Sequence, residues 1–380
     1  MSENKPKKIL FAAGGTGGHV FPAIAAADAV HKVDPGAEIA FVGSSHGHEK
    51  EWVEKAGYRF ILLEVDFIKG ASLGRKLKNV CQLPGCARRA KAILKSEKPD
   101  FVIGSGGYVS GPLVFVASRL HIPTAIMEQN AIPGLTNRIL SHFVNQIFTS
   151  FPHTEKLPAE KVVLTGNPVR AKAIPESDSG DARQDTRSNI LGALAGDHAL
   201  HLLIFGGSQG ALSLNRDMPK ALSRLSEDEK SRIVVRHQAG RNKLDVAQKA
   251  YADAGLTAET TEFMDDMGEA YRWADLLVCR AGATSLAEIK AAHKAAILVP
   301  FPYAAHQHQE KNADAMVAMD AAWKVLDADI EQEIPKIIAA CLAHPEEIQR
   351  RADHAFADAK PDAGETIAKI ILGMASSSPV

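Results

Sequence analysis

Short apolar runs alternate with helical patterns along the 380-residue chain. Runs at 9–13, 38–42, 60–65, 101–104, 124–128, 146–149 and 162–165 are read as strands. Helical periodicity lies between them at 22–32, 48–56, 86–97, 111–121 and 135–144. Pro99 and Pro123 follow two of these helices, as proline just past a helix end should. Residues 171–196, with the polar run "PESDSGDARQDTRSN", break the pattern and are read as a connector. The alternation then restarts, with strands at 201–205, 232–238, 259–263, 276–279, 296–299 and 323–326. Helices are expected at 212–224, 242–254, 284–292, 309–319, 330–343, 346–359 and 363–374. The restart carries a weak echo, because "ILFAAGGTGGH" opens the first half and "LLIFGGSQGAL" the second. The fold class expected is α/β, with two doubly wound parallel sheets facing a cleft. The domains are expected at 1–168, with a C-terminal helix 360–376 packing back on it, and at 169–359.

Composition narrows the class. Hydrophobic residues make up 46% and charged residues 23%, which are globular values, and the net charge of −1 offers no global field for nucleic acid. Cys81, Cys86, Cys279 and Cys341 show no C-x-x-C spacing, so reduced thiols are expected and no metal. The lysines before the first apolar run imitate a secretory signal. The run ends at Gly14, however, short of the roughly 7–15 apolar residues a signal needs. No apolar stretch reaches the ~18–20 residues of a membrane span, so a soluble or surface-bound protein is expected.

Four strand-to-turn junctions are rich in glycine: 14–18, 104–111, 206–210 and 281–284. Glycine lets backbone N–H groups approach a phosphate closely, and the helix that follows presents its positive end. Two such loops per half favour a phosphorylated ligand at the carboxyl edges of the strands. The G-x-G-x-x-G pattern fails after Gly15, because Val20 stands where its last glycine should be. G-x-x-x-x-G-K-[ST] is absent from the sequence, so dinucleotide and P-loop readings lose ground.

His19 closes the first loop. At a helix N-terminus the dipole disfavours imidazolium, so its pKa should fall and the neutral ring could act as general base. A capping or packing role is the alternative. Glu288, four residues after Thr284, could accept two hydrogen bonds from a ribose diol, against the alternative of a solvated helix glutamate. In "MEQN", Asn130 offers a donor and an acceptor to a sugar hydroxyl, and Glu128 is a second carboxylate in reach. Arg170 in "GNPVR" could answer a phosphate. "HQHQ" at 306–309 lacks a third metal ligand. The D-x-D at 327–329 is read as a solvated turn. Residues 67–99 hold nine Lys/Arg (Lys69, Arg75, Lys76, Lys78, Arg88, Arg89, Lys91, Lys95, Lys98) against the single acid Glu97. Leu73, Leu77 and Val80 recur among them at near-helical spacing. Such a surface suits an anionic membrane face, and a solvated helix face is the alternative.

Taken in order, "GGTGGHVFPA", "GGYVSGP", "EQNAIPG", "GNPVR", "GGSQGA", "FMDDM", "CRAGATSLAE" and "HQEKNA" resemble one family over essentially the whole chain. It is the family of cell-wall transferases that add N-acetylglucosamine to the undecaprenyl-linked muramyl-pentapeptide, lipid I. The resemblance implies a GT-B fold, UDP-N-acetylglucosamine (UDP-GlcNAc) as donor, an inverting reaction, and no cofactor or metal. By motif, the Met264 backbone would meet uracil and Glu288 the ribose. Ser208 and the turn of Ala283, Thr284, Ser285, Leu286, Ala287 and Glu288 would hold the diphosphate, with Arg170 close by. Asn130 and Gln309 would contact the sugar, with Thr16, Gly17 and Gly18 beside the reacting centre. Lipid I would approach Gly14, Gly15, Gly106, Gly107 and Tyr108. His19 is the candidate base, with Glu128 as its substitute. The resemblance further implies a peripheral position on the cytoplasmic face of the bacterial plasma membrane, with cell-wall synthesis proteins as partners. Two departures are His293 and Ala295, where family members usually carry glycine and proline, and a long linker near 177–189. A UDP-sugar 2-epimerase of the same fold, or a non-catalytic nucleotide-sugar-binding membrane protein, is the competing reading.

Overall fold

The computed structural model describes residues 6–44, 48–64, 73–152, 154, 156–170, 199–207, 209–304 and 307–376, with backbone alone for 73–83. The chain divides into two units, Met1–Val169 with Lys360–Val380, and Arg170–Ala359. In the first unit the strands are β1 (Lys8–Ala12), β2 (Glu38–Gly43), β3 (Arg59–Leu62), β4 (Phe101–Gly104), β5 (Thr124–Glu128), β6 (Gln146–Thr149) and β7 (Val162–Leu164). They form one parallel sheet in the order β3-β2-β1-β4-β5-β6-β7. The helices between them are α1 (Gly17–Val33), α2 (Glu49–Lys55), α3 (Leu73–Glu97), α4 (Ser110–Arg119) and α5 (Leu135–Leu140).

Side chains alternate across β1. Ile9 and Phe11 enter a core with Val20, Ala23 and Ala27 of α1, whereas Leu10 and Ala12 face Leu94 of α3 and Leu113 of α4. Both faces of the sheet are covered, which is why its strands read as continuous apolar runs rather than alternating ones.

The second unit repeats the plan. Strands β8 (Leu200–Phe205), β9 (Ile233–Gln238), β10 (Glu259–Thr261), β11 (Leu276–Cys279), β12 (Ala295–Leu298) and β13 (Ala322–Lys324) form a parallel sheet in the order β10-β9-β8-β11-β12-β13. Its helices are α6 (Leu212–Ser223), α7 (Glu227–Ser231), α8 (Leu244–Asp253), α9 (Met267–Trp273), α10 (Ala283–Ala291), α11 (His308–Ala318), α12 (Ile330–Ala343) and α13 (Glu346–Ala357). Leu202 and Ile204 of β8 pack with Leu214 and Met218 of α6 and with Ile334 and Ile338 of α12. The last helix, α14 (Ala363–Ser376), belongs to the first unit, where Ile367 and Ile371 enter the α1 side of the core.

Strand order reverses once in each sheet, between β1 and β4 and between β8 and β11. At such a switch point the following loops diverge to opposite faces and leave a crevice at the carboxyl ends, where ligands of open α/β sheets bind. The expected two doubly wound parallel sheets are borne out.

Several boundaries differ from expectation. Helix α1 starts at Gly17, so Pro22 sits one turn inside it instead of opening it. Helix α3 extends back to Leu73 and carries Pro84 within. The short helices α7 and α9 were not foreseen. The 327–329 turn is a single 3₁₀ turn, and Asp327 is not simply solvated, because it pairs with Arg280 at 2.5 Å and accepts from Ser213 Oγ at 2.9 Å. His293 takes φ of +55°, the left-handed conformation that glycine adopts most readily just past a helix end. Its Nε2 lies 2.7 Å from Asp353 Oδ1, which ties the end of α10 to α13.

Candidate functional site

In the first unit the β1–α1 and β4–α4 loops flank the switch point and pack backbone to backbone. A Cβ on Gly107 would lie 2.3 Å from the Gly14 carbonyl oxygen. Ser105 N–H donates to the Ala12 carbonyl at 2.9 Å, and Ser105 Oγ donates to the His19 carbonyl at 2.6 Å. Gln129, just past β5, places Nε2 3.2 Å from the Ser105 carbonyl and 3.1 Å from its Oγ. Three neighbouring strand ends are thus tied into one edge.

His19 sits in the first turn of α1, where its N–H bonds the Thr16 carbonyl at 3.0 Å. Its half-buried ring lies against Gly106, whose Cβ, if present, would be 2.7 Å from Nδ1. Gly106 thus meets the imidazole and Gly107 meets Gly14, so the loop carrying Gly14, Gly15, Thr16, Gly17 and Gly18 lies against the loop carrying Gly106 and Gly107. Tyr108 stands exposed beside them.

Glu128 ends β5 and is 2% exposed. Its Oε1 accepts from the Asn130 N–H at 3.0 Å and from Asn130 Nδ2 at 3.2 Å. Its Oε2 accepts from the Gly134 N–H at 3.0 Å and from Asn137 Nδ2 at 2.9 Å. The carboxylate thereby folds the 130–137 loop around itself and fixes where Asn130 stands.

In the second unit the 206–210 loop follows β8, and Ser208 lies outside the described residues. A Cβ on Gly210 would lie 2.1 Å from the Ala239 carbonyl oxygen, so this loop also packs backbone to backbone with its neighbour after β9. Beneath that contact, buried Asn215 donates to the Ala239 carbonyl at 3.0 Å and meets His237 Nε2 at 3.1 Å; His237 Nδ1 lies 3.0 Å from Tyr251 Oη. Burial pushes the His237 pKa down to about 3. Gln238 accepts from the Met264 N–H at 2.8 Å and donates to the Gly207 carbonyl at 3.2 Å, so the Met264 loop is held against the glycine turn.

Helix α10 begins at Ala283 after the extended residue Gly282, with no side-chain cap and no acid in its first turn. Its N–H groups and dipole there suit an anion, and Thr284, Ser285, Leu286 and Ala287 line the turn. Glu288 sits one turn in, 4% exposed. Its Oε1 accepts from Arg170 Nε at 3.1 Å and Nη2 at 2.9 Å, and its Oε2 accepts from Tyr271 Oη at 2.9 Å. Burial disfavours the Arg170 charge, but the Glu288 carboxylate more than offsets it, so Arg170 titrates above its ordinary value. Burial above all, then the Glu288 charge, holds the Tyr271 proton well above the usual phenol range. Gln309, on α11, accepts from the Phe301 N–H at 2.9 Å, and Asn312 on the same helix donates to the Ala281 carbonyl at 3.1 Å.

Sequence reasoning missed Ser105, Gln129, Gln238 and Tyr271. Ser105 stands inside a glycine loop and Gln129 within "EQNAIPG", but the bonds of these residues and of Gln238 join distant loops and leave no spacing to read. The side chains of Cys81, Arg75, Lys76 and Lys78, together with Lys69 and His306, lie outside the described residues. Cys86, Cys279 and Cys341 are buried and free.

Comparison with known proteins agrees with this layout. The family model described as the glycosyltransferase family 28 N-terminal domain matches residues 9–149, and that described as the family 28 C-terminal domain matches residues 201–367. A Myxococcus xanthus protein named UDP-N-acetylglucosamine–N-acetylmuramyl-(pentapeptide) pyrophosphoryl-undecaprenol N-acetylglucosamine transferase is 40% identical over 369 residues, 97% of this chain and 93% of its own. The crystal structure of Acinetobacter baumannii MurG superposes with a TM-score of 0.77 at 32% identity, covering 97% of this chain and all of that one. A Neisseria meningitidis UDP-GlcNAc 2-epimerase, covering 98% of this chain and all of its own, reaches a TM-score of 0.64 at 14% identity, a likeness of fold alone. The chain belongs to glycosyltransferase family 28, with the two-domain GT-B fold of that family.

Proposed function

We propose that this protein transfers N-acetylglucosamine from UDP-GlcNAc to the 4-hydroxyl of the muramyl residue of lipid I, giving lipid II and UDP with inversion at the anomeric carbon. The observation that carries the reading is His19, set in the first turn of α1 and pressed against Gly106 at the β1/β4 switch point. A ring held there can take the proton of an incoming alcohol in a glycine-walled crevice. The near full-length relationship to the transferases named above supports the substrate pair.

The 4-hydroxyl oxygen attacks the donor's anomeric carbon as His19 removes its proton. The bond from that carbon to the diphosphate breaks, and the charge on departing UDP is met by backbone N–H groups at the α10 N-terminus and by Arg170. Ser208 and the turn at 283–288 hold the diphosphate. The Met264 loop faces uracil, Glu288 takes the ribose, and Asn130 and Gln309 take the sugar. Thr16, Gly17 and Gly18 stand beside the reacting carbon. Gly14, Gly15, Gly106, Gly107 and Tyr108 receive the acceptor. No metal is assigned a role in this scheme.

The acceptor is a lipid, so the protein must meet a membrane. Among the described residues no helix is long and apolar enough to cross one. Exposed Phe115, Leu135, Ile139 and Phe143 on and after α4 and α5 support surface binding; the Phe115 and Phe143 rings meet edge to face at 5.0 Å. Exposed Arg88, Arg89 and Lys91 lie on α3, which packs on α4. Exposed apolar side chains together with exposed bases suit an anionic leaflet, which here is the cytoplasmic face of the plasma membrane. Cell-wall synthesis proteins at that surface are the partners this location implies.

The test is incubation with UDP-GlcNAc and a short-chain lipid I analogue. Release of UDP with formation of the disaccharide product is expected. A manno product from donor alone would establish an epimerase instead, and tight donor binding without UDP release a sensor.

A further inference from the structure

Glu288 enters the donor reading as the ribose acceptor, yet its carboxylate is already engaged at both oxygens. Among the described residues, two N–H groups of Arg170 converge on Oε1, while Tyr271 Oη alone meets Oε2. A carboxylate offers about four lone-pair sites, so three are filled and only one, on Oε2, remains. One site cannot receive both hydroxyls of a ribose diol. The two existing partners differ in what they can do. Arg170 has a part-exposed, charged side chain at the edge of its unit and a second attraction, the diphosphate. Tyr271 is 1% exposed, its ring is packed edge-on to Phe205 at 6.1 Å, and it has nowhere to go.

We infer that Tyr271 is a positioning residue for donor binding: it is the fixed anchor of Glu288, while Arg170 is the exchangeable one. On donor binding the Arg170 guanidinium passes from Glu288 Oε1 to the diphosphate, and the ribose hydroxyls take the sites it leaves. Tyr271 stays on Oε2 and keeps the carboxylate aimed through the exchange. The same carboxylate is therefore charge-neutralised before the donor arrives and by hydrogen bonds alone afterwards. The inference rests on Glu288 being the ribose residue.

Tyr271→Phe removes one oxygen and keeps the ring. Binding of UDP and of 2′-deoxy-UDP to the purified full-length chain is measured by calorimetry, alongside steady-state turnover and thermal melting. The wild type should prefer UDP. In Tyr271→Phe the affinity for UDP and the KM for UDP-GlcNAc should worsen about ten- to a hundredfold, as for a lost hydrogen bond to a charged group, with kcat at saturating donor nearly unchanged. The preference for UDP over 2′-deoxy-UDP should shrink by a similar factor. A merely structural tyrosine would lower the melting temperature and leave that preference intact, which overturns the inference. An unchanged KM overturns it too. A wild type that binds the two nucleotides equally overturns the ribose assignment itself, a different failure. Arg170→Lys keeps a charge for the diphosphate but cannot fork onto Oε1. It should weaken UDP-GlcNAc binding while preserving the preference for the 2′-hydroxyl; loss of that preference would show that Arg170 stays on Glu288 and would refute the exchange.

Discussion

Gly107 and Gly14 touch through their backbones: a single methyl on Gly107 would lie 2.3 Å from the Gly14 carbonyl oxygen. Gly107 also holds φ of +82°, where an L side chain is strained. Two neighbouring glycines in one loop therefore do different jobs. Gly107→Ala has only backbone to push against and should lower unfolding free energy by about 1–3 kcal/mol in urea titration. Gly106→Ala, at φ of +99°, carries a like backbone strain but meets the His19 ring, which can swing away. Its signature should be a fall in kcat with UDP affinity retained.

His19→Ala removes the proposed base without touching the second unit. Turnover should drop by about 10²–10⁴-fold. The dissociation constant for UDP should stay within twofold or so of wild type, since the uracil, ribose and diphosphate contacts are proposed elsewhere. Near-normal turnover would hand the base role to Glu128.

Glu128→Gln tests that substitute role directly. Each carboxylate oxygen accepts two N–H donors, so an amide NH₂ must face two donors of its own kind. The 130–137 loop should loosen at a cost of about 1–3 kcal/mol, with KM for UDP-GlcNAc rising as Asn130 shifts. A large loss of kcat at unchanged stability would instead make Glu128 a proton-transfer group.

His237 should make the second unit acid-sensitive. Folded, it stays neutral down to about pH 3, whereas unfolded it protonates near the ordinary histidine value of 6.5. Between those values the unfolded chain binds one proton more, so stability is full above pH 6.5 and falls with pH by about 1.4 kcal/mol per unit. Denaturant titrations of the wild type at pH 7 and 5 should differ by more than those of His237→Phe, after allowance for that variant's lost bonds to Asn215 and Tyr251. Equal slopes would remove His237 as the cause.

The legible parts of this molecule were those governed by local rules. Strands 101–104, 124–128, 146–149 and 276–279 coincide with β4, β5, β6 and β11 because a sheet covered on both faces demands continuous apolar runs. The helix start at Pro22 was misplaced because proline usually opens a helix, and here Gly17 and Gly18 open it. Helices α7 and α9 carried unread signals. Ser226 and Glu229 form a capping box, and Asp266 caps with Glu269 three residues on. At the site, glycine, His19 and Glu288 could be singled out by type and by their place before or within a helix. Tyr271 could not, because it reaches Glu288 across seventeen residues and a sheet edge. The same holds for Asp327, whose partner Arg280 lies 47 residues away.

The proposed membrane surface has two parts, the basic residues of α3 and the exposed apolar side chains on and after α4 and α5, and their contributions should be separable. Arg88, Arg89 and Lys91 are exposed within a single turn of α3, and each basic side chain near an anionic surface contributes about 1 kcal/mol. Neutralising three should cost roughly 10²-fold in partition to anionic liposomes at low salt, and reversing them to glutamate more. That loss should fade as salt rises, because screening shortens the reach of every charge involved. Phe143→Ser removes part of an exposed aromatic pair instead, so its deficit should be smaller and insensitive to salt. Binding of the triple charge reversal indistinguishable from wild type at low salt would refute this face. A salt-sensitive deficit in Phe143→Ser would show that the two contributions are not independent.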